Sequence, residues 1–180
     1  MTYVTSLIDL LELHQDLDEI FLQHQRALLR LDTEAAMQRL EEYEIALTSH
    51  IADEEELVLP LYKERAQIRL GAAPEIFTNE HTKLRSYVEL FKAEIPRLIE
   101  TKDRERKTLW LLDSETTFKR LVVHHDVRER KFLYPELDKV TSQKEKDELF
   151  EKLRLRPVNR PLAMVQSNVI TFDNAGPLFS

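Results

Sequence analysis

Residues 122–135, "VVHHDVRERKFLYP", place two histidines side by side in a stretch that otherwise reads as a charged helix. Neighbouring helical positions are about 100° apart, so at most one of His124 and His125 can face a given partner. Residues 50–60 decide which. "HIADEEELVLP" (50–60) and "HDVRERKFLYP" (125–135) both read His, three residues, Glu, five residues, Pro. On a helix, positions i and i+4 lie within about 40° of each other, one turn apart, so His50 converges with Glu54 and His125 with Glu129. Glu55 and Glu56 fall about 140° and 240° from His50, which predicts a solvated face for both. His124 has no such carboxylate and reads as a surface residue.

Helical periodicity extends outward from these two stretches. Leu7, Leu10, His14, Leu17, Phe21, His24, Leu28 and Leu31 recur at spacings of three and four, as do Ala36, Leu40, Tyr43, Leu47, His50, Glu54, Leu57 and Leu61. Phe77, His81, Leu84, Val88, Phe91, Ile95 and Leu98 form a third seam, and Leu111, Ser114, Phe118, Leu121, His125, Glu129 and Phe132 a fourth. Stripes of this kind belong to helices buried along one face. Asp32 or Thr33 offers an N-cap to the second segment, Gly71 ends it, Pro74 opens the third, and Thr101 or Asp103 caps the fourth. The expected fold is all-α: an antiparallel up-down four-helix bundle over residues 1–140. A short helix follows within 141–153, at about 142–153, and then an extended tail over 154–180. The tail, with three prolines and no helical period, is expected to lie on the bundle or on a partner chain, which makes a homodimer possible.

Hairpin geometry sets the heights. In an antiparallel pair, residues equally far from the turn lie level. The midpoint of His14 and His50 is residue 32, and that of His81 and His125 is residue 103, each at a turn. The midpoint of His50 and His81 falls near residue 65, beside the long connection. Four histidines therefore share one level, with both glutamates one turn to the same side. Unpaired buried carboxylates cost several kcal/mol each. Two cations bridged by Glu54 and Glu129, with two histidines apiece, remove that cost, and the donor set suits iron, manganese or zinc. The bland alternative is a metal-free helical adaptor with core histidines. His24 lies about 15 Å along the axis from His14 and reads as a core or rim residue. Leu17, Leu47, Leu84 and Leu121 sit half a turn away, as an apolar roof or as ordinary core. Tyr43 is either a donor to a bound ligand or an aromatic filler.

Composition bounds the function. The chain has 180 residues, only 2 Gly, 33% charged residues and a formal net charge of −7, as a helical acidic domain would. That balance argues against nucleic acid or an anionic membrane as partner. The absence of cysteine excludes disulfides, thiolate nucleophiles and iron–sulfur clusters. The opening "MTYVTSLIDLLELHQDLDE" has no basic n-region and carries Asp9 and Glu12 in its apolar run, so no signal peptide is expected. A soluble cytoplasmic protein is the expectation.

Over residues 5–140 the paired His…HxxxE hairpins resemble the hemerythrin-like, or HHE cation-binding, family. The resemblance implies a four-helix bundle around a non-haem diiron centre, ligated by His14, His50, Glu54, His81, His125 and Glu129, with the two glutamates as bridges. Oxygen-carrying hemerythrins have a further histidine one turn after the third, where this chain has Arg85. Their last carboxylate is an Asp five residues after its histidine, where this chain has Glu four after. The four-His, two-Glu set is similar instead to the diiron domain of iron-centre repair proteins linked to nitric-oxide stress, which usually carry an added cysteine-bearing domain. The resemblance implies a diiron protein that binds or reacts with O₂, NO or peroxide in stress response or iron handling. The alternative is an iron- or oxygen-responsive sensor acting through its tail without turnover.

Overall fold

Asp32 and Asp103 set the two tight reversals of the chain. Each carboxylate accepts a hydrogen bond from the backbone N–H three residues on, Ala35 at 3.0 Å and Arg106 at 3.1 Å, as N-caps do. The two reversals join α1 (Glu12–Leu29) to α2 (Thr33–Asp53) and α4 (Pro74–Glu100) to α5 (Arg104–Arg128). Between the pairs lies α3 (Leu59–Arg65); after α5 come α6 (Tyr134–Val140) and α7 (Gln143–Lys152). This computed structural model of the protein describes residues 6–157, and every regular element among them is helical. None of these helices is long and apolar enough to cross a membrane.

α1 packs against α2 and α5, and α4 against the same two, so the four long helices close a ring. Inside the ring, Phe21, Tyr43, Phe91 and Phe118 meet with centroids 5.0 to 6.5 Å apart, spacings at which tilted and edge-on rings attract. A second apolar core gathers Leu7 and Leu10 of an N-terminal 3₁₀ turn with Tyr62 of α3, Phe77 of α4, Leu137 of α6 and Leu149 of α7. α7 is fastened by a capping box in which Ser142 and Glu145 satisfy each other's backbone N–H groups. His14, His50, His81 and His125 lie on the stretches between these two cores, sealed by hydrocarbon on both sides.

The structure departs from the sequence pattern at four places. The periodicity predicts unbroken α-helix through Leu57 and Leu61 and again through Phe132. Instead, π-helices run over Glu54–Val58 and Glu129–Leu133, where the N–H of Leu59 and Tyr134 donates to the carbonyl five residues back. The prolines of the repeat are the cause. Pro60 and Pro135 have no N–H, and their rings would strike the carbonyls of Glu56 and Lys131; a wide turn just before them relieves the clash. Each extra residue moves the seam on by one. Val58, Tyr62, Leu133 and Leu137 are buried, while Leu57, Leu61 and Phe132 are only partly so. Third, Glu115 replaces Ser114 on the fourth seam, because it pairs with His24 in the core. Fourth, the second rod ends at Arg65 rather than Gly71, as Ala66 turns extended; Gly71 serves the following connection with φ +81°. Beyond α7, the predicted tail enters as residues 154–157, and the rest of it, with the surface for a homodimer, lies outside the described residues.

Candidate metal centre

Each of the four long helices contributes one histidine to a common layer: His14 from α1, His50 from α2, His81 from α4 and His125 from α5. Glu54 and Glu129 each open a π-helix and lie one turn below the histidine of their own rod. Donor atoms of His14, His50, Glu54 and Glu129 lie within 4.8 Å of one another, and so do those of Glu54, His81, His125 and Glu129. Both carboxylates belong to both groups. All six positions singled out in the sequence are therefore brought together, as two adjoining four-donor sets of N₂O₂ type. His81 and Glu129 are fully buried, and Glu54, His50 and His125 are at most 5% exposed.

The donor atoms behave as atoms facing a shared centre. Nε2 of His14 and of His50 stand 3.0 Å apart. Two nitrogens each about 2.1 Å from one cation, at a right angle, stand about 3.0 Å apart. Nε2 of His14 approaches Glu129 Oε2 at 3.1 Å, Nε2 of His81 approaches Glu54 Oε2 at 3.1 Å, and Nε2 of His125 approaches Glu129 Oε1 at 2.7 Å. Yet Glu54 Oε2, His81 Nε2 and both oxygens of Glu129 have no hydrogen-bond partner. Buried polar atoms are normally paired, and leaving them unpaired costs about 1–3 kcal/mol each, more when charged. The unpaired atoms here are those a pair of cations would bind, so the residues present fit a dinuclear centre.

Without a cation, the same layer balances its charge with protons. Burial opposes ionisation of Glu129, but His125 and His14 hold its carboxyl well below the usual range. Burial also opposes a charge on His14, and Asp126 with Glu129 outweighs it, raising the imidazole to about 10. His125 rises well above its ordinary value, burial again being overcome by Glu129 and by Glu80. Burial pushes His50 down, against the pull of Glu54. An anionic Glu129 in the core thus gathers positive charge onto its neighbours.

A layer of acceptors behind the histidines fixes their orientation. Nδ1 of His14 meets Asp126 at 2.5 Å, that of His81 meets Glu55 at 2.9 Å, and that of His125 meets Glu80 at 3.0 Å. A carboxylate acceptor keeps a proton on Nδ1, so a cation that displaced the proton from Nε2 would meet an inward lone pair, the usual arrangement of ligating histidines. Arg85, one turn after His81, reaches the other oxygen of Glu55 at 3.2 Å and so backs His81. Glu55 is therefore not on the solvated face predicted for it, because the π-helix turns it toward α4. Glu56 binds Arg154 at 2.6 Å on the exposed side. Asp126 and Glu80 were not singled out by the repeat. Their signal is adjacency: each sits beside a ligand in sequence and serves the ligand of the neighbouring helix.

Two cavities adjoin the layer. One of about 20 Å³ is lined by His14, His50, His125, Leu47, Leu84 and Val122, and it has room for a single water-sized molecule. The other, about 270 Å³, is a cleft between α1 and α5 lined by His14, Asp18, Gln25, Lys119 and the exposed Val123. Tyr43 lines both but is packed between Phe21 and Phe118 as an aromatic filler. His24 is outside the layer: Nδ1 donates to the Ala36 carbonyl and Nε2 faces Glu115, both at 2.8 Å. His124 is exposed.

Compared with family models, with curated proteins and with solved structures, the chain has no match.

Proposed function

We propose that this chain is a non-haem dinuclear metal protein of the hemerythrin-like kind, an antiparallel up-down four-helix bundle whose task is to bind or react with a small neutral molecule, O₂, NO or peroxide. The observation that carries the reading is the set of unpaired buried donors, Glu54 Oε2, His81 Nε2 and both oxygens of Glu129, within two N₂O₂ groups that share their carboxylates. His14 and His50 would hold one cation, His81 and His125 the other, and Glu129 with Glu54 would join them. Iron fits the donor types and the family resemblance; manganese and zinc fit the donor types alone. When bound, the cations supply Lewis acidity and, as iron, one-electron redox chemistry. The protein's own contribution is orientation and exclusion. Asp126, Glu55 and Glu80 fix the imidazoles, and Leu47, Leu84 and Val122 line the small space beside them with hydrocarbon, which favours a neutral diatomic over a charged substrate. The family resemblance adds a role in stress response or iron handling, and the cytoplasm is the compartment expected from the sequence.

The test is metal content per chain on freshly purified protein, by elemental analysis, beside a His50→Ala variant. About two irons per chain, falling sharply in the variant, supports the reading and opens stopped-flow work with O₂, NO and peroxide. Little metal in either, with iron supplied during expression, overturns it.

A second reading has one observation behind it. Asp53, beside Glu54, accepts hydrogen bonds from the backbone N–H of Arg154 at 2.8 Å and of Leu155 at 3.0 Å. The strand of chain leading to the tail is thus tied one residue from a candidate ligand. A sensor that reports metal loss through its C-terminal segment would use that connection.

A further inference from the structure

The internal repeat makes the two halves of the layer nearly equivalent, and one residue breaks the equivalence. Aligning 50–60 with 125–135 sets Leu59 opposite Tyr134. Leu59 is a buried hydrocarbon with nothing to donate. The fully buried Tyr134 donates its hydroxyl in a short hydrogen bond to Glu54 Oε1. Glu129 receives no such bond, and both its oxygens are unpaired. We infer that Tyr134 makes the two cation positions unequal, by holding Glu54 Oε1 away from the His14–His50 position.

Distances carry the assignment. Three of the four nitrogen–carboxylate approaches in the layer fall between 2.7 and 3.1 Å. The fourth, His50 Nε2 to Glu54 Oε1, is 3.6 Å. The retracted oxygen is the one bonded to the phenol. Glu54 then presents one free oxygen, Oε2, on the side of His81, while Glu129 offers Oε2 to His14 and Oε1 to His125. The His81–His125 position has four unencumbered donors, namely two imidazoles, Glu54 Oε2 and Glu129 Oε1. The His14–His50 position has three: two imidazoles and Glu129 Oε2. The π-helix is what makes this possible, because it carries Tyr134 to a point facing Glu54 across the ring; on the unbroken α-helix the next buried position would have come one residue sooner. On this scheme Glu129 would contribute an oxygen to each position, while Glu54, joined to both in the symmetric reading, would serve mainly the His81–His125 position. Tyr134 is a positioning residue in this scheme, acting through Glu54.

The inference rests on the dinuclear reading, and its test separates the two. Full-length protein freed of metal is titrated anaerobically with Co²⁺, followed by calorimetry and by visible absorption of the bound ion, for wild type and Tyr134→Phe. Wild type is expected to bind two ions in resolved steps, the second at least about tenfold weaker. In Tyr134→Phe, Glu54 Oε1 is free to turn inward, so the second step tightens by about tenfold, about 1.4 kcal/mol, and the first stays within about twofold. Two equal steps in wild type overturn the assignment without any variant, which covers the case in which Tyr134→Phe does not fold. Two unequal steps that the variant leaves unchanged, or shifts together, overturn the role of Tyr134 while sparing the centre. No uptake by either protein removes the dinuclear reading and this inference with it.

Discussion

At the residue scale the ligands depend on their neighbours. Glu80 and Asp126 each take the Nδ1 proton of a histidine on another helix, and burial, which opposes ionisation, is overcome by those histidines, so both carboxyls are held below their ordinary range. Losing such a partner typically weakens metal binding about 10–100-fold. Asp126→Asn and Glu80→Gln should each do so with the fold retained, as read by competition against a chelator. Unchanged affinity in both would remove the orienting layer from the account. A different role belongs to His24 and Glu115, both at zero exposure. Ala36 can only accept at Nδ1, so one proton is held between Nε2 and Glu115. Removing one member strands the other; Glu115→Ala should lose about 3–5 kcal/mol in urea unfolding, and His24→Leu with Glu115→Leu together markedly less. The six ligand candidates were legible because the sequence writes its His…Glu phrase twice and the hairpin midpoints level the remaining two histidines. Their supporting carboxylates were not. A residue beside a ligand points about 100° away, and which helix stands there depends on the order of helices around the ring.

At the element scale the two π-helices matter most, and they explain where periodicity failed. Apart from Ser114, a 3.6-residue repeat extrapolates correctly down these two rods until Glu54 and Glu129, then misses by one, since a proline six residues later makes the backbone insert a residue. The prolines were visible in the sequence as the end of the repeated phrase, but the register shift they cause was not. The shift decides the lower core: Tyr62, Leu133, Tyr134 and Leu137 are inside because of it. Deleting one exposed residue from the second π-helix, Lys131, together with Pro135→Ala to remove the clash, should restore α-helical bonding and turn α6 back by about 100°. Helix content by circular dichroism should stay near wild type. Tyr134 should leave Glu54, Leu133 and Leu137 should leave the core, and the thermal midpoint should fall by many degrees. A deletion variant as stable as the parent would mean that the wide turn sets nothing.

At the scale of the whole molecule, a layer of histidines and glutamates between two apolar cores joins all four long helices, and the C-terminal helix closes the lower end. That closure has an acid-sensitive latch. Asp138 accepts from the backbone N–H of Leu7 at 2.8 Å and the hydroxyl of Ser6 at 3.1 Å, and it pairs with Lys146 at 2.9 Å. Burial pushes its pKa up, but these three partners hold it below its ordinary value. A depressed carboxyl stabilises the fold above the unfolded pKa, about 3.9, and that stability is lost as pH falls through the folded value. Asp138→Asn should therefore lower the urea midpoint at pH 6, and its difference from wild type should shrink as acid protonates Asp138. A difference independent of pH would deny the latch.

The remaining tie runs from Asp53 to the segment after α7. Asp53 is 2% exposed, and three donors satisfy it: the N–H groups of Arg154 and Leu155 and the Arg154 guanidinium at 3.0 Å. All three come from beyond Lys152. A chain ending after Pro157 keeps every one of them. A chain ending after Lys152 leaves a buried carboxylate without partners, at a cost of about 1–3 kcal/mol or more. Because Asp53 immediately precedes Glu54 at the mouth of the π-helix, the strain falls on the backbone that aims a candidate ligand. The shorter chain should melt earlier and bind the His81–His125 ion, which depends on Glu54 Oε2, more weakly than the longer one does. Melting curves and Co²⁺ titrations on the two truncations read both effects. If the shorter chain melts earlier with its metal affinity intact, Asp53 serves only the docking of the C-terminal segment, and the sensor reading loses its physical connection.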